Sequence, residues 1–181
     1  VLAALAAGEA PGDRDAVRVL ASAGIIGPGE GCEASDAQFE TATGSALEMP
    51  PPDDERIALA QAALALGEAM ARIRWTSFSR LIAWLHVLKS PDHRAAGLHQ
   101  DRAVAFAQAY DRARLRIPIS RICLRDSAAL FALLSRRGID CQLIFGVQLD
   151  PFKAHCWVQS GSTILSDTLD SARSMRPILT I

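Results

Sequence analysis

The chain has 181 residues, half of them apolar and 22% charged, with a formal net charge of −1. That is enough apolar material for the core of one ordinary domain, or one domain with a small appendage. The balance of charge excludes an electrostatic nucleic-acid binder, which needs a basic excess, and no apolar run reaches the ~18–20 residues of a membrane span.

Residues 1–27 carry two short helical patterns. VLAALAAGEA is stopped by Gly8 and Pro11, and DRDAVRVLASAGII has Asp13 as N-cap and Gly24 as C-cap. The opening is alanine-rich without a basic stretch, so it does not read as a signal peptide. Lacking an initiator Met, the chain is expected to begin inside a longer natural protein. From residue 28 to 54 Gly, Pro, Glu, Ser and Thr dominate, ending in MPPPDD, the composition of a linker.

Residues 55–181 are expected to form the main domain. ERIALAQAALALGEAMARIRW, capped by Asp53 or Asp54, reads as a helix, and SFSRLIAWLHVLKS as a second, stopped at Ser90-Pro91. GLHQDRAVAFAQAYDRARLR is a third, with Val104, Phe106, Ala107, Tyr110 and Leu115 on a buried face. A fourth runs from Cys123 to Arg137, with Leu124, Ala128, Phe131 and Leu134 at helical spacing and Gly138 just beyond its end. Then the period changes. Residues 141–148 read as a strand, Asp150-Pro151 as a turn, AHCWVQS as a second strand, Gly161-Ser162 as a hairpin turn and STILSD as a third strand. The apolar end of DSARSMRPILTI can dock on this sheet. Helices followed by strands predict an α+β fold with a small C-terminal antiparallel sheet.

Three groups in the second half can do chemistry together. A thiol at a helix N-terminus is acidified by unpaired backbone N–H groups, and Cys123 opens a predicted helix. An imidazole can take and return a proton, and His155 heads a predicted strand. A carboxylate on the second ring nitrogen fixes the tautomer. His155 and Asp167 lie six and five residues from the Gly161-Ser162 turn, at the open end of the same hairpin. Asp170 is a rival for this role. Each residue alone is more often structural than functional; the constellation carries the reading. Cys156 alternates away from His155 along the strand and is expected to be a bystander. Cys141, just past a helix end, is also expected to be inert, and Cys32 falls in the linker. The histidines at 86, 93 and 99 are scattered. The four cysteines contain no CxxC pair. Reduced thiols in a cytoplasm are the simplest expectation. There is no glycine-rich phosphate cradle, and nothing calls for a cofactor or a metal.

Cys123-Leu124, RRGID at 136–140, Gly146-Val147, Pro151-Phe152, Ala154-His155, Trp157-Val158 and Asp167 together resemble the pattern of bacterial transglutaminase-like cysteine peptidases. More narrowly they resemble the leader peptidases of lasso-peptide biosynthesis. The resemblance covers roughly residues 115–181. It departs at Gln159, where the family often has Glu, and at Ser166, where it often has Asn. It implies a papain/transglutaminase-like fold and a triad of Cys123, His155 and Asp167. The implied substrate is the leader region of a ribosomally made precursor, and the implied partner an asparagine-synthetase-like lasso cyclase. In larger members a winged-helix element recognises the precursor. Residues 1–27 resemble its last helices. An acyltransferase of the same fold and a silent leader-binding module are the alternatives.

Overall fold

The computed structural model describes residues 40–50, 57–89 and 96–181. The helical patterns of residues 1–27, Cys32, His93, the Ser90-Pro91 stop and the remaining parts of the expected linker lie outside the described residues.

Four helices precede most of the sheet: α1 Leu59–Trp75, α2 Phe78–Leu88, α3 Ala96–Arg114 and α4 Cys123–Ser135. A short α5, Leu169–Arg173, comes near the end. The strands are β1 Gly44–Ser45, β2 Gln142–Leu149, β3 Phe152–Ser160, β4 Thr163–Ile164 and β5 Arg176–Thr180, in the order β1-β4-β3-β2-β5. The architecture is α+β, as its pattern predicts. The sheet, however, is mixed rather than purely antiparallel, because β1 pairs with β4 in parallel.

α4 is the centre of the packing. Arg125 and every residue from Ser127 to Ser135 are buried, the signature of a helix covered on all sides. α1 and α3 pack on it from one side and β3 from the other. Leu66, Phe106, Phe131 and Leu134 form one core with Leu143, Cys156 and Val158 from the sheet. Gly138 ends the helix with φ +66°, a left-handed conformation that costs glycine nothing. The opposite face of the sheet has its own cluster, Ile144, Trp157 and Ile164 against Ala172 of α5. The two faces follow from strand alternation: Leu143 pairs with Val158, and Ile144 with Trp157.

Several expectations are revised. Residues 40–50 lie within the span read as a linker, yet they belong to the same unit as the sheet. Thr43 N–H donates to Ser162 O at 2.8 Å, and β1 follows. The Gln108 amide on α3 donates to Ala46 O at 2.6 Å and to Met49 O at 3.0 Å. A polar composition is compatible with a strand whose stability comes from backbone pairing rather than from its own side chains. The expected third strand, STILSD, is paired only at Thr163–Ile164; beyond it the chain turns away into α5. Leu115 is 68% exposed instead of buried, because α3 ends at Arg114 and the helical period no longer applies. At the C-terminus β5 adds to the free edge of β2, and Ile181 exchanges two backbone hydrogen bonds with Leu143. Among the described residues no helix is long and apolar enough to cross a membrane.

Candidate active site

The loop before α4 is held by buried charge. Arg114, 1% exposed, closes a salt bridge with Asp126 in the first turn of α4. Its remaining donors hold the carbonyls of Ile117, Ile119 and Ser120 at 2.8–3.2 Å. Asp126 in turn accepts the Ile122 N–H at 2.7 Å. Ile122 is the N-cap and has no side-chain oxygen of its own; Asp126 reaches back to the N-cap N–H, as the acidic partner of a capping box does. This network delivers Cys123 as the first residue of α4, where backbone N–H groups have no helical partner.

His155 comes from the opposite face of the sheet. Its ring stacks over Trp157 with centroids 6.3 Å apart and planes at 21°. Gly146 pairs with His155 across β2 and β3. A Cβ on Gly146 would lie 2.9 Å from both Met175 Cβ and the Trp157 ring, so only glycine leaves room for the indole beneath the imidazole. His155 Nε2 bonds Asp167 Oδ2. Asp167 is itself positioned by three groups. The Thr168 N–H donates to Oδ1 at 2.7 Å, Ser171 Oγ to Oδ2 at 3.0 Å, and Ser45 Oγ to its backbone carbonyl at 2.6 Å. Asp170, the rival carboxylate, is exposed on α5.

The two halves meet at an edge. β4 ends at Ile164, opposite Gln159, so the edge of β3 around Cys156 is left without a strand partner. The start of α4 takes that edge. Ser127 Oγ, one helical turn after Cys123, donates to Cys156 O at 3.2 Å, and Cys123 and Cys156 line the same cleft. His155 lines the same cleft from the other face of the strand. Cys123, His155 and Asp167 thereby line one cleft of about 370 Å³ with Leu47, Ile122 and Ser166. Because Nε2 of His155 is engaged by Asp167, Nδ1 is the nitrogen left for the thiol.

Cys156 sits on the strand face that alternation predicts. It faces away from His155, into the helical layer. Cys123 approaches from that same layer, so the two thiols line one cleft and Cys156 helps to lower the Cys123 pKa. Alternation fixes the face of Cys156, whereas the side from which α4 arrives is set by tertiary packing.

The electrostatics follow these contacts. The Cys156 thiol, then the His155 ring, stabilise a Cys123 thiolate and bring its pKa down to about 4 despite partial burial. Asp167, then Cys123, stabilise an imidazolium and raise His155 to about 9. Burial pushes Asp167 up, but His155, the Thr168 N–H and Ser171 outweigh it and hold the carboxyl below its usual range. Cys141 behaves oppositely: it is buried, and burial pushes it up to about 12. Arg114, Asp126, Ser45 and Ser171 were not singled out in the sequence. An acidic residue four positions after an uncapped helix start was the available signal for Asp126. Gln159, where the family pattern often has Glu, donates to Glu40 O at 2.6 Å and Gly161 O at 2.8 Å, bonds that a carboxylate could not donate. Ser166 Oγ accepts the Val158 N–H at 2.9 Å.

The family model described as the transglutaminase-like superfamily matches residues 63–180. The match extends upstream of the 115–181 region that carries the sequence motifs, back into α1. The microcin J25-processing protein McjB of Escherichia coli is 27% identical over 108 residues, which is 59% of this chain and 50% of that protein. The chain therefore spans about half the length of that curated relative. No solved structure matches.

Proposed function

Since the chain belongs to the transglutaminase-like superfamily, we propose that it is a cysteine peptidase that removes the leader from a lasso-peptide precursor before macrocyclisation. The observation that carries this reading is a helix-start thiol sharing one cleft with a histidine that is ion-paired to an aspartate. Similarity to a protein named for processing microcin J25 supports the substrate class.

In this reading the Cys123 thiolate attacks the scissile carbonyl carbon, and the carbonyl oxygen becomes an oxyanion. The Cys123 backbone N–H donates to it at the helix start. The His155 imidazolium gives its proton to the departing amine as the C–N bond breaks. Water, deprotonated by the now neutral imidazole, then attacks the acyl-enzyme, the C–S bond breaks and the leader carboxylate leaves. Asp167 keeps the ring oriented throughout. The freed amine of the core peptide is the group that an asparagine-synthetase-like cyclase would join to a side-chain carboxylate, so that cyclase and the precursor leader are the expected partners.

The test is incubation with a synthetic precursor, with products identified by mass. Two fragments whose masses sum to precursor plus water are expected. Cys123→Ala should give no fragments, and Asp167→Asn should slow cleavage by roughly 10²–10⁴ through the wrong tautomer. Cleavage by Cys123→Ala would overturn the mechanism. A product in which an added amine replaces water would favour acyl transfer instead.

A further inference from the structure

Cys156 and Cys123 line the same cleft, and Ser127, one helical turn after Cys123 on α4, donates to the Cys156 carbonyl. Both thiols are free. Cys123 is part-exposed, whereas Cys156 is 3% exposed. One sulfur is thus accessible to small oxidants, and the other is shielded from them. Cys141, the remaining cysteine among the described residues, sits beside Ser135 at the other end of α4, ~18 Å away by helical rise.

We propose that Cys123 and Cys156 form a peroxide-responsive thiol pair, in which Cys123 is oxidised by a hydroperoxide and Cys156 resolves it by closing a disulfide. The inference stands on the juxtaposed thiols and holds whichever acyl transfer the site performs.

The chemistry balances in two steps. The Cys123 thiolate attacks one peroxide oxygen; an S–O bond forms, the O–O bond breaks, and hydroxide leaves and takes a proton to become water. Sulfur loses two electrons and the peroxide gains them, giving a sulfenic acid. Cys156 then attacks Cys123 Sγ; an S–S bond forms, the S–O bond breaks, and the leaving hydroxide carries off the Cys156 thiol proton as a second water. The resting pair explains the division of labour. The Cys123 thiolate, then burial, hold the Cys156 thiol protonated, so Cys156 is silent until needed. Oxidation of Cys123 to a neutral sulfenic acid removes that negative charge and lets the second thiol ionise. Closure blocks the cleft's nucleophile reversibly. Without a resolving thiol, Cys123 proceeds to sulfinic acid, which reductants do not reverse.

The experiment treats the full chain with hydrogen peroxide, blocks free thiols with iodoacetamide and maps peptides by mass spectrometry. The expected product is a Cys123–Cys156 linked peptide pair, lighter by two hydrogens than its parts. Dithiothreitol should return Cys123 to an alkylatable thiol. In Cys156→Ala and Cys156→Ser, recovery by dithiothreitol should be lost and Cys123 should carry two added oxygens. Overturning results are sulfinic acid at Cys123 of the unmodified sequence without the linked pair, or linkage of Cys123 to Cys32 or Cys141. Because the unmodified chain decides the question, a variant that fails to fold leaves the test intact. The readout is thiol chemistry, so failure of the peptidase reading would not produce any of these outcomes.

Discussion

A free cysteine ordinarily titrates above a free histidine, near ~8.5 against ~6.5. At this site the order is inverted, with Cys123 at about 4 and His155 at about 9. Between those values the resting pair is thiolate and imidazolium. The nucleophile is already charged, and the acid for the leaving amine is already loaded. The signs give a direct prediction. Iodoacetamide alkylation of Cys123 should rise as pH increases through about 4 and then stay level. Peptide cleavage should share that acid limb and fall again above about 9, where His155 loses its proton. In Cys156→Ala the largest stabiliser of the thiolate is gone, so the acid limb should move upward. An alkylation limb near pH ~8.5 in the unmodified chain, the value of an ordinary thiol, would rule out the inverted pair.

At the scale of elements, the site depends on how α4 begins. An uncapped Ile122 start is held by Asp126, and Asp126 by the buried Arg114. Removing one partner of such a pair leaves an uncompensated charge, which costs about 3–5 kcal/mol. Arg114→Met should lower unfolding stability by about that amount in denaturant titration. Adding Asp126→Leu should recover only part of the loss, since the Ile122 N–H then lacks its acceptor. Equal stability of Arg114→Met and the unmodified chain would mean that the pair does not position the helix start. Surface pairs are a different matter. Arg136 reaches both Glu68 carboxylate oxygens at 2.7–2.8 Å, but both side chains are part-exposed, and such bridges contribute little.

At the scale of the whole molecule, the segment at 40–50 joins the sheet to the site. Ser45 holds the backbone of Asp167, Leu47 lines the cleft, and the amides of Gln108 and Gln159 spend donors on carbonyls at Ala46 and Glu40. A chain beginning at residue 55 strands the Gln108 amide and one donor of the Gln159 amide, each at about 1–3 kcal/mol. It should therefore melt lower than a chain beginning at residue 38 and lose cleft activity with it. Equal melting temperatures and activities for the two would show that the segment is dispensable.

Local order was legible in the chain: helical patterns then strands, with Cys123 at a helix start and His155 in the strand before the Gly161-Ser162 turn; Asp167 was expected on the returning strand but lies beyond its end. Each of these rests on contacts a few residues apart, where spacing and residue type carry the information. The motifs at 123–167 were specific enough to indicate the family, and the family match then extends upstream to residue 63. Only the tertiary structure decided which edges and faces meet. β4 stops early, so the edge of β3 is open to α4, and Cys156 shares one cleft with Cys123. Gly44-Ser45 has no strand-like pattern of its own, because its pairing energy comes from a partner more than a hundred residues away. Arg114 and Asp126 look like ordinary helix charges until the loop between them folds back over both.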